Sequence, residues 1–161
     1  NDVLASIIKR SKNILHSISE YICKPCLTQV LPTEFLMSFN ELEKLHIDFS
    51  KLDEFGQGEI LFKKEIIGLY SQQTNEQIEE VKKLLNSKSY EGIALIIHNM
   101  IASFNLIGCQ VLVNYSRGLE ETCFNVIDEK RFNTQIMDYI RLIQKSITLV
   151  NKKGKKEGIL T

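Results

Sequence analysis

The chain has 161 residues, 43% hydrophobic and 25% charged, with 20 basic side chains balancing 20 acidic ones. That length favours one domain with an appendage, and zero formal net charge removes the usual reason to expect nucleic acid or an anionic membrane surface as a partner. No apolar run approaches the roughly 18 residues of a membrane span, and no charged segment followed by an apolar core opens the chain as a secretory leader would. Four cysteines at unrelated spacings suggest a reducing, cytoplasmic compartment rather than a disulfide framework.

Residues 1–46 are expected to be an N-terminal helical extension or linker. Leu4, Ile7, Ile8, Leu15 and Ile18 suit a helix over Val3–Ile18. Pro25 discourages helix just before it, so Tyr21–Pro25 reads as strand or turn. Pro32 suits the start of a helix over about 33–45, with Phe35, Leu36, Phe39 and Leu42 on one side. Asp48 to Gly58 then reads as a short turn-rich connection.

From Glu59 onward the apolar residues recur at helical spacing. Phe62, Ile66, Leu69 and Tyr70 predict a helix over Glu59–Tyr70. Thr74 with Gln77 forms a capping box for another helix reaching about Leu85. Ser89 is placed to cap the next helix, with Glu91 in its first turn. Leu112, Tyr115, Leu119 and Val126 mark a helix over 109–127, and Phe132, Ile136, Ile140, Ile143 and Ile147 mark one over 131–150. Short links make successive helices antiparallel neighbours. The expected fold is therefore all-α: an antiparallel four-helix bundle over 47–151 with additional N-terminal helical segments. Lys152, Lys153, Lys155 and Lys156, with Gly154 and Gly158, predict a basic flexible tail over 152–161.

The segment Glu91–Gly108 organises the chain. At 100° per residue, Ile93, Ile96, Ile97, Met100, Phe104 and Ile107 form the core stripe of an amphipathic helix. His98 falls about 140° from Ile93, with Ala94 and Ala102 four residues to either side. Large charged side chains are nearly absent from this outer face, which Leu95, Ile101 and Leu106 flank. An accessible imidazole on a smooth, partly apolar face suits a chemistry in which a second protein reaches the ring. A near-neutral imidazole is a nucleophile at cellular pH, and a labile P–N bond can pass a phosphoryl group on.

Other candidates are thinner. Cys23-Lys-Pro-Cys26 matches the redox C-x-x-C pattern, but that reading needs an α/β setting that the chain does not supply. Cys109 and Cys123 do not complete a zinc site, and His16 and His46 form no ligand spacing.

On these residues, Gln77–Glu121 resembles the histidine phosphotransfer (HPt) domain of bacterial phosphorelays. The family pattern is a histidine, Lys at +3, Gly at +4 and Gly at +10 opening the next helix; here stand His98, Ile101, Ala102 and Gly108. The wider frame extends the likeness over about 47–150: Asp48-Phe49-Ser50, Leu69-Tyr70, the 75–85 segment, Ser89-Tyr90-Glu91-Gly92 and Leu119-Glu120. Upstream, Glu20-Tyr-Ile-Cys-Lys-Pro25 is similar to the end of the last strand of a receiver domain, so residues 1–46 read as a possible receiver remnant.

The resemblance implies an HPt-type bundle that accepts a phosphoryl group on His98 from one aspartyl-phosphate receiver domain and hands it to another. It implies a monomeric phosphocarrier without its own ATP site, standing alone or as the C-terminal module of a hybrid sensor histidine kinase at the membrane's cytoplasmic side. No cofactor or metal is expected on this domain; Mg²⁺ belongs to the partner receiver. Receiver docking is expected at Leu95, Ile101, Ala102 and Asn105, with Asn105 also a candidate hydrogen-bond donor to the phosphoryl group. In the family the +3 Lys orients that group, which Ile101 cannot do, so reduced or altered transfer is expected. The second reading is a non-catalytic bundle of the same fold that binds a receiver or scaffolds a signalling complex.

Overall fold

Asp48 starts the fold by two side-chain bonds: its carboxylate accepts from the Ser50 backbone N–H at 3.0 Å and from the Ser50 hydroxyl at 2.8 Å. Those bonds, the backbone one first, hold its carboxyl below the ordinary range. The chain is seen here in a computed structural model that describes residues 45–160. Five helices follow: α1 (Ser50–Gly56), α2 (Ile60–Asn86), α3 (Tyr90–Leu106), α4 (Gln110–Cys123) and α5 (Glu129–Lys156). No strand occurs among the described residues. The expected helix over 3–18, that over about 33–45 except for Leu45, the Tyr21–Pro25 strand or turn, the Cys23/Cys26 pair and His16 lie outside them; Leu45 is described and is not helical.

α2 packs on α3, α3 on α4, α4 on α5, and α5 back on α2, which closes a four-helix ring; α1 is an appendage on α2. The ring encloses an aromatic centre. Phe104 meets Tyr70 and Tyr139 edge-on, with centroids 6.4 Å apart in both pairs, and Tyr115 stacks on Tyr139 at 5.5 Å. Two buried hydroxyl pairs tie helices together across it: Tyr70 with Ser146 at 2.6 Å and Ser116 with Tyr139 at 2.7 Å. Each satisfies phenol and serine groups that would otherwise be stranded away from water.

Three expectations change. Residues 50–56 are a helix, not a turn-rich connection. The two helices expected over 59–70 and 75–85 are one 27-residue helix, α2, and Thr74 is buried in its middle rather than capping anything. The reason is continuity: Ile66, Tyr70, Thr74, Ile78 and Val81 form one unbroken core-facing stripe, and the Ser71–Asn75 run holds no Gly or Pro to stop it. Finally, α5 runs on to Lys156 instead of giving way to a flexible tail after 151. Gly154 is buried where Leu160 and Ile67 approach, and Ile159 joins the core, so the basic residues ride on an anchored helix.

The ends of α3 fix where its outer face points. Ser89 occupies the expected N-cap position of α3 but makes no side-chain capping bond. Lys88 instead turns the chain with φ +55°. Its ammonium spans both Glu129 carboxylate oxygens at 2.8 and 2.9 Å, and the Tyr90 hydroxyl adds a bond at 3.1 Å. At the other end Gly108 sits at φ +67°. The N–H of Gly108 bonds Asn105 O and that of Cys109 bonds Phe104 O, the paired closure of a Schellman end. Asp48 N–H bonds Ile107 O at 3.0 Å. A Cβ at Gly108 would collide with the Asp48 carbonyl, so the +10 glycine is demanded twice, by its dihedral and by its neighbour.

Candidate functional site

His98 lies midway along α3 with its side chain 36% exposed. Its Nδ1 stands 3.0 Å from the Glu120 Oε1 of α4. α3 and α4 run antiparallel from the turn at Gly108, and the two residues are roughly equidistant from it, so the pair is one rung between neighbouring helices. Ala94 and Ala102, on either side of the histidine, are both buried. Their small side chains let α4 lie close along α3, which brings a carboxylate from α4 into reach of the ring.

An imidazole whose Nδ1–H donates to a carboxylate carries its lone pair on Nε2. The pairing thus selects the tautomer and ring orientation, as carboxylates do for histidines elsewhere. A positive charge on the ring would meet Glu120 at salt-bridge distance. What the arrangement can do chemically is present a nucleophilic nitrogen and compensate the charge that develops when that nitrogen is acylated or phosphorylated.

The expected docking set divides. Leu95 is 62% exposed and Asn105 is partly exposed. Ile101 is only 4% exposed, and Ala102 is likewise buried. Both belong to the bundle interior, which corrects their assignment to a surface that touches a receiver. The outer face of α3 is narrower than its sequence indicates because α4 covers the Ala94–Ala102 side. Ile101 is therefore core where the family has its lysine. Asn105 already has a partner, since its Oδ1 accepts from the Lys51 ammonium of α1 at 3.1 Å. That places a cation on the His98 face from a different helix.

Glu120 and Lys51 were not identified as site residues from the sequence. Glu120 appears there only as part of the Leu119-Glu120 pair, with no signal that it faces His98. Nothing in the sequence near Lys51 signals that it reaches Asn105, fifty-four positions away.

The remaining candidates are inert by their surroundings. Cys109 and Cys123 are free and buried. Burial first, and the Glu120 charge second, push the Cys123 thiol up to about 12, and burial raises Cys109 as well; neither is a ready thiolate. His46 is exposed. Among the described residues no three His, Cys, Asp or Glu side chains gather as a metal site, and no helix is long and apolar enough to cross a membrane. No protein-family model, curated protein or solved structure matches the chain.

Proposed function

We propose that this bundle is a phosphocarrier of the HPt kind, taking a phosphoryl group onto His98 from an aspartyl-phosphate receiver domain and giving it to another. The observation that carries the reading is the His98–Glu120 pair: a half-exposed imidazole whose Nδ1 is held by a carboxylate at 3.0 Å.

In the forward step the Nε2 lone pair attacks phosphorus. The P–N bond forms, the acyl P–O bond breaks, and the receiver's aspartate leaves as carboxylate with the bonding pair. The ring retains its Nδ1 proton and becomes cationic, and the Glu120 carboxylate offsets that charge. The return step reverses these changes, with a second aspartate oxygen as nucleophile. Mg²⁺ on the receiver neutralises the moving phosphoryl oxygens. Ile101, being core, leaves the donor role of the family lysine unfilled on α3. The setting that goes with this reading is the cytoplasm.

A test is incubation of the chain with receiver domains phosphorylated by acetyl phosphate in Mg²⁺. Acid-labile, base-stable phosphate is expected on the wild type and none on His98→Gln. The competing scaffold reading draws on the absence of any Lys or Arg between Glu91 and Gly108. It would prevail if a receiver bound the wild type without ever phosphorylating it.

A further inference from the structure

Zero net charge over the whole chain conceals a separation of charge. α5 carries eight Lys or Arg against two acidic residues, so the rest of the chain holds a matching acidic excess. Residues 1–44 do not supply it, since they contribute five charges of each sign. The inner face of α5 is committed to the core through Phe132, Ile136, Tyr139, Ile143 and Val150. At 100° per residue, Lys130, Met137, Arg141, Thr148, Lys152 and Lys155 fall on the opposite side within an arc of about 60°. All six are exposed. The two acids of α5 lie outside that arc, with Glu129 bonded to Lys88 and Asp138 to Arg141. From Lys130 to Lys155 the row runs about 38 Å. Helix stability does not call for it. Lysines in the last turn complement the helix dipole, but Lys130 and Arg131 stand in the first turn, where the dipole opposes a cation.

We propose that the outer face of α5 is a docking strip for an anionic phospholipid surface, on which the bundle lies flat through Lys130, Arg141, Lys152 and Lys155. Charge complementarity selects an anionic partner, and shape selects among anions. α5 is packed between α2 and α4 and lies flush with the bundle, which suits a plane better than a groove that a helix must enter. Phe132 and Tyr139, the aromatics of α5, are buried, so unpaired bases find no stacking platform. A protein partner usually takes an aromatic or apolar anchor, and the arc offers only Met137, 41% exposed. Adsorption on charged headgroups needs no anchor. Each Lys or Arg beside an anionic leaflet raises partitioning about five-fold. α3 and α5 occupy opposite corners of the four-helix ring, so a leaflet under α5 leaves His98 facing water. Lipid docking does not depend on the phosphocarrier reading and does not compete with it.

The test is co-sedimentation of the full chain with phosphatidylcholine vesicles, with and without about one-third phosphatidylglycerol. Binding is expected to the anionic vesicles alone, falling at least about ten-fold between about 0.05 and about 0.3 M salt. Lys130→Glu with Lys155→Glu is expected to weaken it at least about ten-fold. Lys130→Gln with Lys155→Gln, a milder pair, should fall about half as far on a logarithmic scale. Lys51→Glu with Arg117→Glu makes the same change in net charge as the first pair, but on the α3–α4 side of the bundle. It is expected to weaken binding by less than about three-fold. Circular dichroism melts confirm that each variant is folded, and His98→Gln should bind as the wild type does. Equal binding to neutral vesicles, equal losses in the two Glu pairs, or no binding to anionic vesicles overturns the strip. So does tighter binding to a short DNA duplex or to polyglutamate at equal charge, which would assign the face to another polyanion.

Discussion

Among the polar pairs that cross between helices of this bundle, two kinds differ by burial. Ser116–Tyr139 and Tyr70–Ser146, at 2.7 and 2.6 Å, are neutral and enclosed. His98–Glu120, at 3.0 Å, is ionisable and reaches the surface. Burial pushes the Tyr139 and Tyr70 phenols well above their ordinary value, the serine bonds only partly opposing it. In that setting a proton stays where it is, and the pairs serve to fix which helix faces which. The histidine pair is bonded enough to be oriented and open enough to be reached. Both kinds of pair hold helices together, but the outer one leaves a nucleophilic side chain partly open to solvent.

That division can be broken experimentally. His98→Gln should abolish phosphate incorporation from a phosphorylated receiver while moving folding stability by no more than about 0.5 kcal/mol in urea titration. A large loss of stability would mean that the outer pair is structural after all. Gly108→Ala should cost about 1–3 kcal/mol, because it combines a positive φ with a collision against Asp48. Since Gly108 also sets the α3–α4 register, loss of stability should come with slower phosphorylation of His98.

Ser116→Ala should destabilise by about 1–3 kcal/mol by stranding the Tyr139 hydroxyl, with His98 phosphorylation at saturating receiver unchanged. Adding Tyr139→Phe should recover part of the loss; no recovery would remove the pairing argument. Glu120→Gln keeps a hydrogen-bonding side chain and removes the charge. It should slow phosphorylation on the order of ten-fold and change stability by less than about 1 kcal/mol, as read by single-turnover quench and urea titration. Equal rates would show that Glu120 only packs.

The last effect concerns pH and is felt only on the alkaline side. The Cys123 thiol ordinarily loses its proton near 9.0 but is pushed up to about 12 in the fold. Between those values the folded chain holds a proton that the unfolded chain releases. Its contribution is full below about pH 9 and is lost as pH rises toward about 12. The raised Tyr70 and Tyr139 phenols act in the same direction. Urea midpoints should therefore fall steadily on the alkaline side, with His98 chemistry still measurable in the folded protein.

Much of this was legible in the residues. The stripe through Ile93, Ile97, Met100 and Phe104 is fully buried, as helical spacing requires. His98 lies off that stripe as expected. The sequence misled where two local signals competed. The Thr74-x-x-Gln77 capping box looked like a helix start, but a continuous core stripe outweighs a cap whose worth is about 1 kcal/mol. The lysine-rich end looked frayed, but Gly154 and Ile159 anchor it. Ile101 and Ala102 looked like surface because angular position alone cannot say how much of a helix its neighbours cover.

By itself the sequence determined that the chain from Glu59 to about residue 150 is mainly helical, that α3 has an inner and an outer face, and that the outer face carries a histidine among small residues. Those follow from periodicity and side-chain size, which are local. Only the tertiary structure decided that Glu120 meets the imidazole, that Lys51 brings its charge to Asn105, and that Ile101 is interior. Each of those depends on which residues of separate helices come to lie opposite one another. Helix register is set by the packing of the whole bundle, and no short stretch of sequence encodes it.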